Sequence, residues 1–197
     1  MPLACGEPGL RFLDGLDGDD MVAVVAGVSA PGTPEPGRTT SSEMRSTAIV
    51  DTGPLLAAID RRDPGHASSS EVLRRRDLDL LIPALVVAEV SWFAAARLGP
   101  RGEALFVRSL RDLNVEAPHP ADWPIIADLV ERCGDFPLGT VDASIVVLAD
   151  RLGTDLIVTL DRRHFSAIRS PRGRSFRLLP EPKQVHEDPA DFPPTLA

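Results

Sequence analysis

The 197-residue chain holds one lysine, Lys183, two cysteines, and no long uninterrupted apolar stretch. Each scarcity removes a class of protein. A membrane helix needs roughly 18 or more consecutive apolar residues, and none are present, so no transmembrane span is expected. The short run Val22 to Ala30 is like a signal peptide's apolar region, but Asp17, Asp19 and Asp20 precede it where such a signal carries positive charge. Secretion is therefore rejected. Cys5 and Cys133 are far apart, and Cys5 falls in a segment that reads as a tail. A disulfide is not expected, and a cytoplasmic location is. The four histidines are scattered without zinc-ligand spacing. No Walker A sequence is present, which removes the P-loop nucleotidases.

The formal net charge of −8 argues at first against a nucleic-acid ligand, so its distribution matters. Residues 1–43 carry 7 acids and 2 bases, residues 181–197 carry 4 acids and 1 base, and residues 44–180 carry 18 of each. The central part is thus neutral. If four of its acids are neutralised by a metal, arginine is in surplus there and a phosphate ligand meets a positive field.

Residues 1–43 are rich in Gly, Pro, Ser, Thr and Asp and read as a flexible extension. Met44 opens a different kind of sequence and is a candidate natural start. From there, strands are expected at about 47–51, 78–82, 113–116, 155–159 and 176–179. Helices are expected at 54–60, 65–76, from Pro83 to about Leu98, and at 101–112, 121–132 and 140–152. Strands separated by helices imply a parallel sheet covered on both faces. With 43% hydrophobic residues, one domain over 44–180 has ample material for a core. The acidic, Pro-rich segment 181–197 reads as a flexible tail.

In such a sheet, ligands sit beyond the carboxyl ends of the strands. Asp51 is expected at the end of the first strand, and Asp161 just past Leu156–Thr159. Capping a turn or helix is the alternative use of either acid. Glu89 has Leu85, Val86, Trp92 and Phe93 as its helical neighbours. A carboxylate on so apolar a face needs a metal or a cation such as Arg97 to offset its desolvation. Asp142 opens the helix after Gly139-Thr-Val, where Thr140 as N-cap would make it an ordinary first-turn acid. Asp135 is a further acid in a looser setting. Clustered carboxylates repel one another unless a hard cation such as Mg2+ binds them, and Thr52 and Thr159 are placed to orient them.

Four segments together resemble the PIN domain, and more narrowly the VapC-type toxins of bacterial toxin–antitoxin systems. They are Ile49-Val-Asp-Thr-Gly-Pro-Leu-Leu-Ala, Pro83-Ala-Leu-Val-Val-Ala-Glu-Val, Leu138-Gly-Thr-Val-Asp-Ala-Ser-Ile and Thr159-Leu-Asp-Arg-Arg-His-Phe. The resemblance spans residues 46–180, with intervals of 38, 53 and 19 residues between the four acids. It implies an α/β/α domain with a central parallel sheet, Mg2+- or Mn2+-dependent cleavage of RNA, frequent homodimerisation and inhibition by a cognate antitoxin. The family's acids map onto Asp51, Glu89, Asp142 and Asp161, with Asp135 in a supporting place. Asp51 and Asp142 would be primary metal ligands, and Glu89 and Asp161 would complete the shell. Arg162, Arg163, Arg169, Arg172 and Arg174 are candidates to hold RNA. Apolar positions at Leu105, Leu110 and in the helices at 54–60 and 84–98 offer surface for a dimer or the antitoxin.

Two rivals stand beside this reading. Asp51-Thr-Gly after a strand loosely suggests a phosphoaspartyl enzyme of the haloacid-dehalogenase or receiver type. Both generally use a lysine on the phosphate, and the lone Lys183 lies in the tail; the dehalogenase motif also wants an Asp where this chain has Gly53. The other rival is a catalytically inactive PIN-like binding domain, against which the retention of all four acids argues.

Overall fold

The computed structural model describes residues 45–133 and 138–182. The expected segments at 1–43 and beyond 182, and Asp135, lie outside them. Five strands form one sheet: β1 (Ser46–Val50), β2 (Leu78–Pro83), β3 (Asn114–Glu116), β4 (Leu156–Val158) and β5 (Arg177–Leu179). All neighbours pair in parallel, in the order β3-β2-β1-β4-β5. Six α-helices flank the sheet: α1 (Thr52–Ile59), α2 (His66–Leu73), α3 (Ala84–Ser109), α4 (Asp122–Arg132), α5 (Thr140–Leu152) and α6 (Arg162–Ala167). The chain winds outward from β1 through β2 to β3, then returns to add β4 on the other side. With right-handed crossovers, this reversal puts α1–α3 on one face and α4 and α5 on the other. The expected α/β architecture is what forms.

The central strands are short apolar runs because both their faces are covered. Ala48, Ile49 and Val50 in β1, and Ile157 and Val158 in β4, are wholly buried. Helix α5 is apolar almost all round, and Ala143 to Ala149 is buried without interruption. Gly153 ends it in the left-handed conformation (φ 73°), which glycine adopts without a Cβ penalty. Thr154 then donates to the Thr47 carbonyl at 2.5 Å and stitches the start of β4 to β1.

Helix α3 contains the break that the sequence suggests between two helices, with Gly99 at φ 69°, ψ −174° and Pro100 behind it. Its first half carries Glu89. Leu105 and Leu110 are half-buried and pack against the core, so the surface they were expected to leave for a partner is mostly used internally. Helix α6 has no counterpart among the helices expected from sequence; at six residues it is too short to show periodicity, and Asp161 caps it. Gly153→Ala forces a Cβ into the left-handed region. It is expected to cost about 1 kcal/mol in chemical denaturation, because no atom within 4 Å of the added Cβ can compensate or clash.

Candidate functional site

Backbone pairing at the strand ends sets the site. Beyond the last β1–β4 register pair, the Asp51 amide donates to the Val158 carbonyl at 2.9 Å, and the Thr159 amide donates to the Leu179 carbonyl at 2.8 Å. These bonds continue the ladder and bring Asp51 and Thr159 side by side at the carboxyl edge. This is where the strand order reverses, the crevice in which parallel sheets bind ligands. Each oxygen of Asp51 is engaged: Oδ1 accepts from the Thr52 amide at 2.6 Å, and Oδ2 accepts from the Thr159 hydroxyl at 2.7 Å. The Thr159 hydroxyl also accepts from the Asp161 amide at 2.9 Å, tying the two acids through one side chain. The Thr52 hydroxyl donates to Glu89 Oε2 at 2.5 Å and draws the α3 carboxylate toward β1.

Asp142 reaches the cluster from the first turn of α5. Its N-cap is Gly139 rather than the expected Thr140, and Asp142 Oδ2 accepts weakly from the Gly139 amide at 3.4 Å. Asp161 is the N-cap of α6 and accepts from the Arg163 and His164 amides at 3.1 and 3.2 Å. The His164 ring, to which the sequence assigns no role, sits between two of the acids. Its Nδ1 is 2.9 Å from Asp161 Oδ2 and 3.9 Å from Asp142 Oδ2. The signal was its place three residues after an N-cap, which folds the ring back over the cap.

Burial pushes the Asp51 carboxyl up to about 6; the bonds from Thr159 and Thr52 oppose this, and the charges of Asp142 and Glu89 add to it. Asp142 is also raised, first by burial and then by Asp161 and Glu89, against the Gly139 amide and His164. Asp51 thus senses the charges of Asp142 and Glu89, and Asp142 those of Asp161 and Glu89.

Glu89 departs from its expected setting. Val86 is buried, but Trp92 is 66% exposed and Glu89 itself is half-buried. Arg97 does not ion-pair with it and instead lies over the Phe93 ring, 5.3 Å from the centroid. The strongly desolvated acid is Asp51, at 7% exposure. Among the described residues, no three acidic, histidine or cysteine side chains stand ready to hold a metal between them.

The five candidate arginines do not gather at this crevice. Arg163 is exposed beside Asp161, and Arg162 donates to the Pro180 carbonyl at 2.8 Å. Arg169 bonds Ser175. Arg172 and Arg174 both approach Asp150 at 3.4 Å, and Arg174 also binds the Gly153 carbonyl, so they hold the carboxyl end of α5. Asp142 is at that helix's opposite end. The reason is topological: a segment leading into parallel strand β5 must first travel back to the sheet's amino edge. The placement gives no support to the expectation that Arg172 and Arg174 line the groove.

A PIN domain family model matches residues 48–170. The chain belongs to the PIN-domain family. Within it, the chain is similar to Ribonuclease VapC26 of Mycobacterium tuberculosis, with 39% identity over 134 residues, 67% of this chain and 99% of that protein. Solved structures share the fold at low identity. VapC20 of M. tuberculosis, a sarcin–ricin-loop-cleaving toxin, superposes with a TM-score of 0.56 at 18% identity, covering 62% of this chain and 95% of that one. VapBC2 from Rickettsia felis, solved with a fragment of its promoter DNA, gives 0.51 at 16% identity and covers 67% of this chain and 98% of that one. The PIN domain thus accounts for the parallel α/β/α arrangement described above.

The raised Asp51 pKa has a stability consequence. Between the ordinary value of 3.8 and about 6, the folded chain keeps a proton that the unfolded chain has released. Stability of the metal-free protein therefore falls as pH rises through that window, and the penalty stays constant above it. In EDTA, Asp51→Asn is expected to match wild type near the bottom of the window and to exceed it by on the order of 2 kcal/mol at neutral pH. Urea unfolding at a series of pH values reads this; a difference that does not grow with pH would contradict the assignment.

Proposed function

We propose that this PIN-domain protein is a Mg2+- or Mn2+-dependent endoribonuclease and the toxin of a type II toxin–antitoxin pair. The observation that carries the reading is the gathering of Asp51, Glu89, Asp142 and Asp161 from four separate elements into one crevice. There, burial and mutual repulsion raise the first and third of them. Such an arrangement is unfavourable alone and becomes favourable around a cation. The donor set is all oxygen, which suits a hard divalent ion that retains several waters and needs few direct carboxylate contacts. Asp51 and Asp142 are the assigned primary ligands, with Glu89 and Asp161 completing the shell.

When bound, Mg2+ or Mn2+ supplies charge neutralisation at the phosphate and a water of lowered pKa. The protein's part is orientation. Thr159 and the Thr52 amide fix the two Asp51 oxygens, and the Thr52 hydroxyl fixes Glu89. His164 and the α6 amides hold Asp161 in place. The amino ends of α1, α5 and α6 open on this crevice, and their dipoles favour the carboxylates and an incoming phosphate. Arg163 is the arginine best placed to meet RNA. The similarity to Ribonuclease VapC26 supports the nuclease part of this reading; a cognate antitoxin and a homodimeric state are proposed with it. The inactive-scaffold alternative predicts no turnover.

Purified protein is expected to cleave labelled RNA with Mg2+ or Mn2+ and to lose this activity in EDTA. Asp51→Asn or Asp142→Asn should lower the rate by at least roughly two orders of magnitude. Equal cleavage by wild type and Asp51→Asn would overturn the site. Thr159→Val removes both the bond to Asp51 and the one from the Asp161 amide and should cost about 10- to 100-fold, partly recovered at high metal concentration. For the dimer, light scattering should give twice the chain mass, and a monomer at every concentration would contradict it.

A further inference from the structure

We propose that Trp92 is a stacking platform for a nucleobase flanking the cleaved phosphodiester; the inference rests on the ribonuclease reading above. Trp92 and Phe93 follow Glu89 by three and four residues on α3, so they share its side of the helix, with Cβ separations of roughly 5–6 Å. Glu89 is held in the acidic crevice by Thr52. A phosphodiester lying over the carboxylates therefore brings its adjoining nucleotides within reach of the indole.

The indole is built for such contact. It is 66% exposed, yet it is braced edge-on by Phe93, with ring centroids 4.9 Å apart and planes at 75°. Arg97 lies over that same Phe93 ring and puts a guanidinium beside the aromatic pair. An exposed aromatic held in place next to a cation is the chemistry that binds single-stranded nucleic acid, where bases stack and the backbone meets positive charge. The need is also plain. The crevice is acidic, the domain carries no net positive charge, and Arg172 and Arg174 are occupied with Asp150. Affinity that does not depend on charge has to come from base contacts.

A protein partner fits the patch less well. Among the described residues, the other exposed large apolar side chains are Val107, Val115, Trp123, Ile125, Leu152 and Leu160. They belong to β3, α4, the end of α5, the β4–α6 turn and the far half of α3 beyond Gly99. A stable interface needs about 800 Å2 per partner around an apolar centre, more than one indole with a half-buried phenyl ring provides.

The chain has only two tryptophans, so Trp123→Phe leaves Trp92 as the single indole reporter. Short random-sequence single-stranded RNA added to the Trp123→Phe, Asp51→Asn double variant, with Mg2+, is expected to quench its fluorescence. Trp92→Ala in the otherwise native chain should raise KM for the same RNA pool by roughly five- to one-hundred-fold, the scale of one lost base stack. kcat should stay unchanged and Trp92→Phe should recover most of the loss. Trp92 is exposed, so the circular dichroism melt should match wild type. If wild type cleaves RNA but Trp92→Ala keeps its KM, or shows only a changed mass in light scattering, the stacking role is overturned and the ribonuclease reading stands. If wild type neither binds nor cleaves RNA, the ribonuclease reading falls and the stack falls with it.

Discussion

The site depends on the parallel pairing of β1 with β4. Strands that are neighbours in the sheet but more than 100 residues apart in sequence end at nearly the same height, because Val50 registers with Val158 and the ladder runs one bond further to the Asp51 amide. That bond sets Asp51 opposite Thr159, and two of the other acids are hung from this edge. Glu89 is drawn in through Thr52 and Asp161 through Thr159. A one-residue slip in this register would turn Asp51 to the opposite face and dismantle the cluster. The wholly buried faces of Ala48 to Val50 and of Ile157 and Val158 resist such a slip, since no polar residue of either strand could take an apolar place.

Core and catalytic candidates are therefore one problem rather than two. Helix α5 is buried along most of its length and still presents Asp142 at its first turn, because a helix that leads into a parallel strand ends at the sheet's amino edge and so begins at its carboxyl edge. Its other end is closed by Gly153, Thr154 and the two arginines on Asp150. Packing fixes the helix along its axis, and the axis fixes where the acid stands. The same logic makes Asp51 a costly residue: the position that continues the ladder is also the most buried of the four acids' places.

Much of this was legible in the sequence, for reasons specific to each element. Short Ile/Val/Leu runs ending in Asp-Thr or Thr-Leu-Asp mark buried parallel strands with acids at their ends, and the family motifs placed Glu89 and Asp142 in order. Three things were not legible. Helical neighbours alone suggested that Glu89 was deeply buried, but Trp92 turns outward and the desolvated acid is Asp51. Helix α6, with His164 folded over Asp161, is shorter than two turns and leaves no periodic trace. Arginine density after residue 168 suggested a nucleic-acid surface, whereas strand direction carries those residues to the amino edge of the sheet. Local composition cannot report which end of a strand a loop serves; topology can.

Three of the four acids double as terminal residues of helices: Asp51 and Asp161 cap α1 and α6, and Asp142 sits in the first turn of α5. Asparagine caps a helix as well as aspartate does. Aspartate and asparagine codons differ at one nucleotide, so a single base change can silence the charge while leaving the fold's own requirement met. Descent within such a lineage has a short path from cleaving nucleic acid to merely holding it, with no unfolded intermediate along the way.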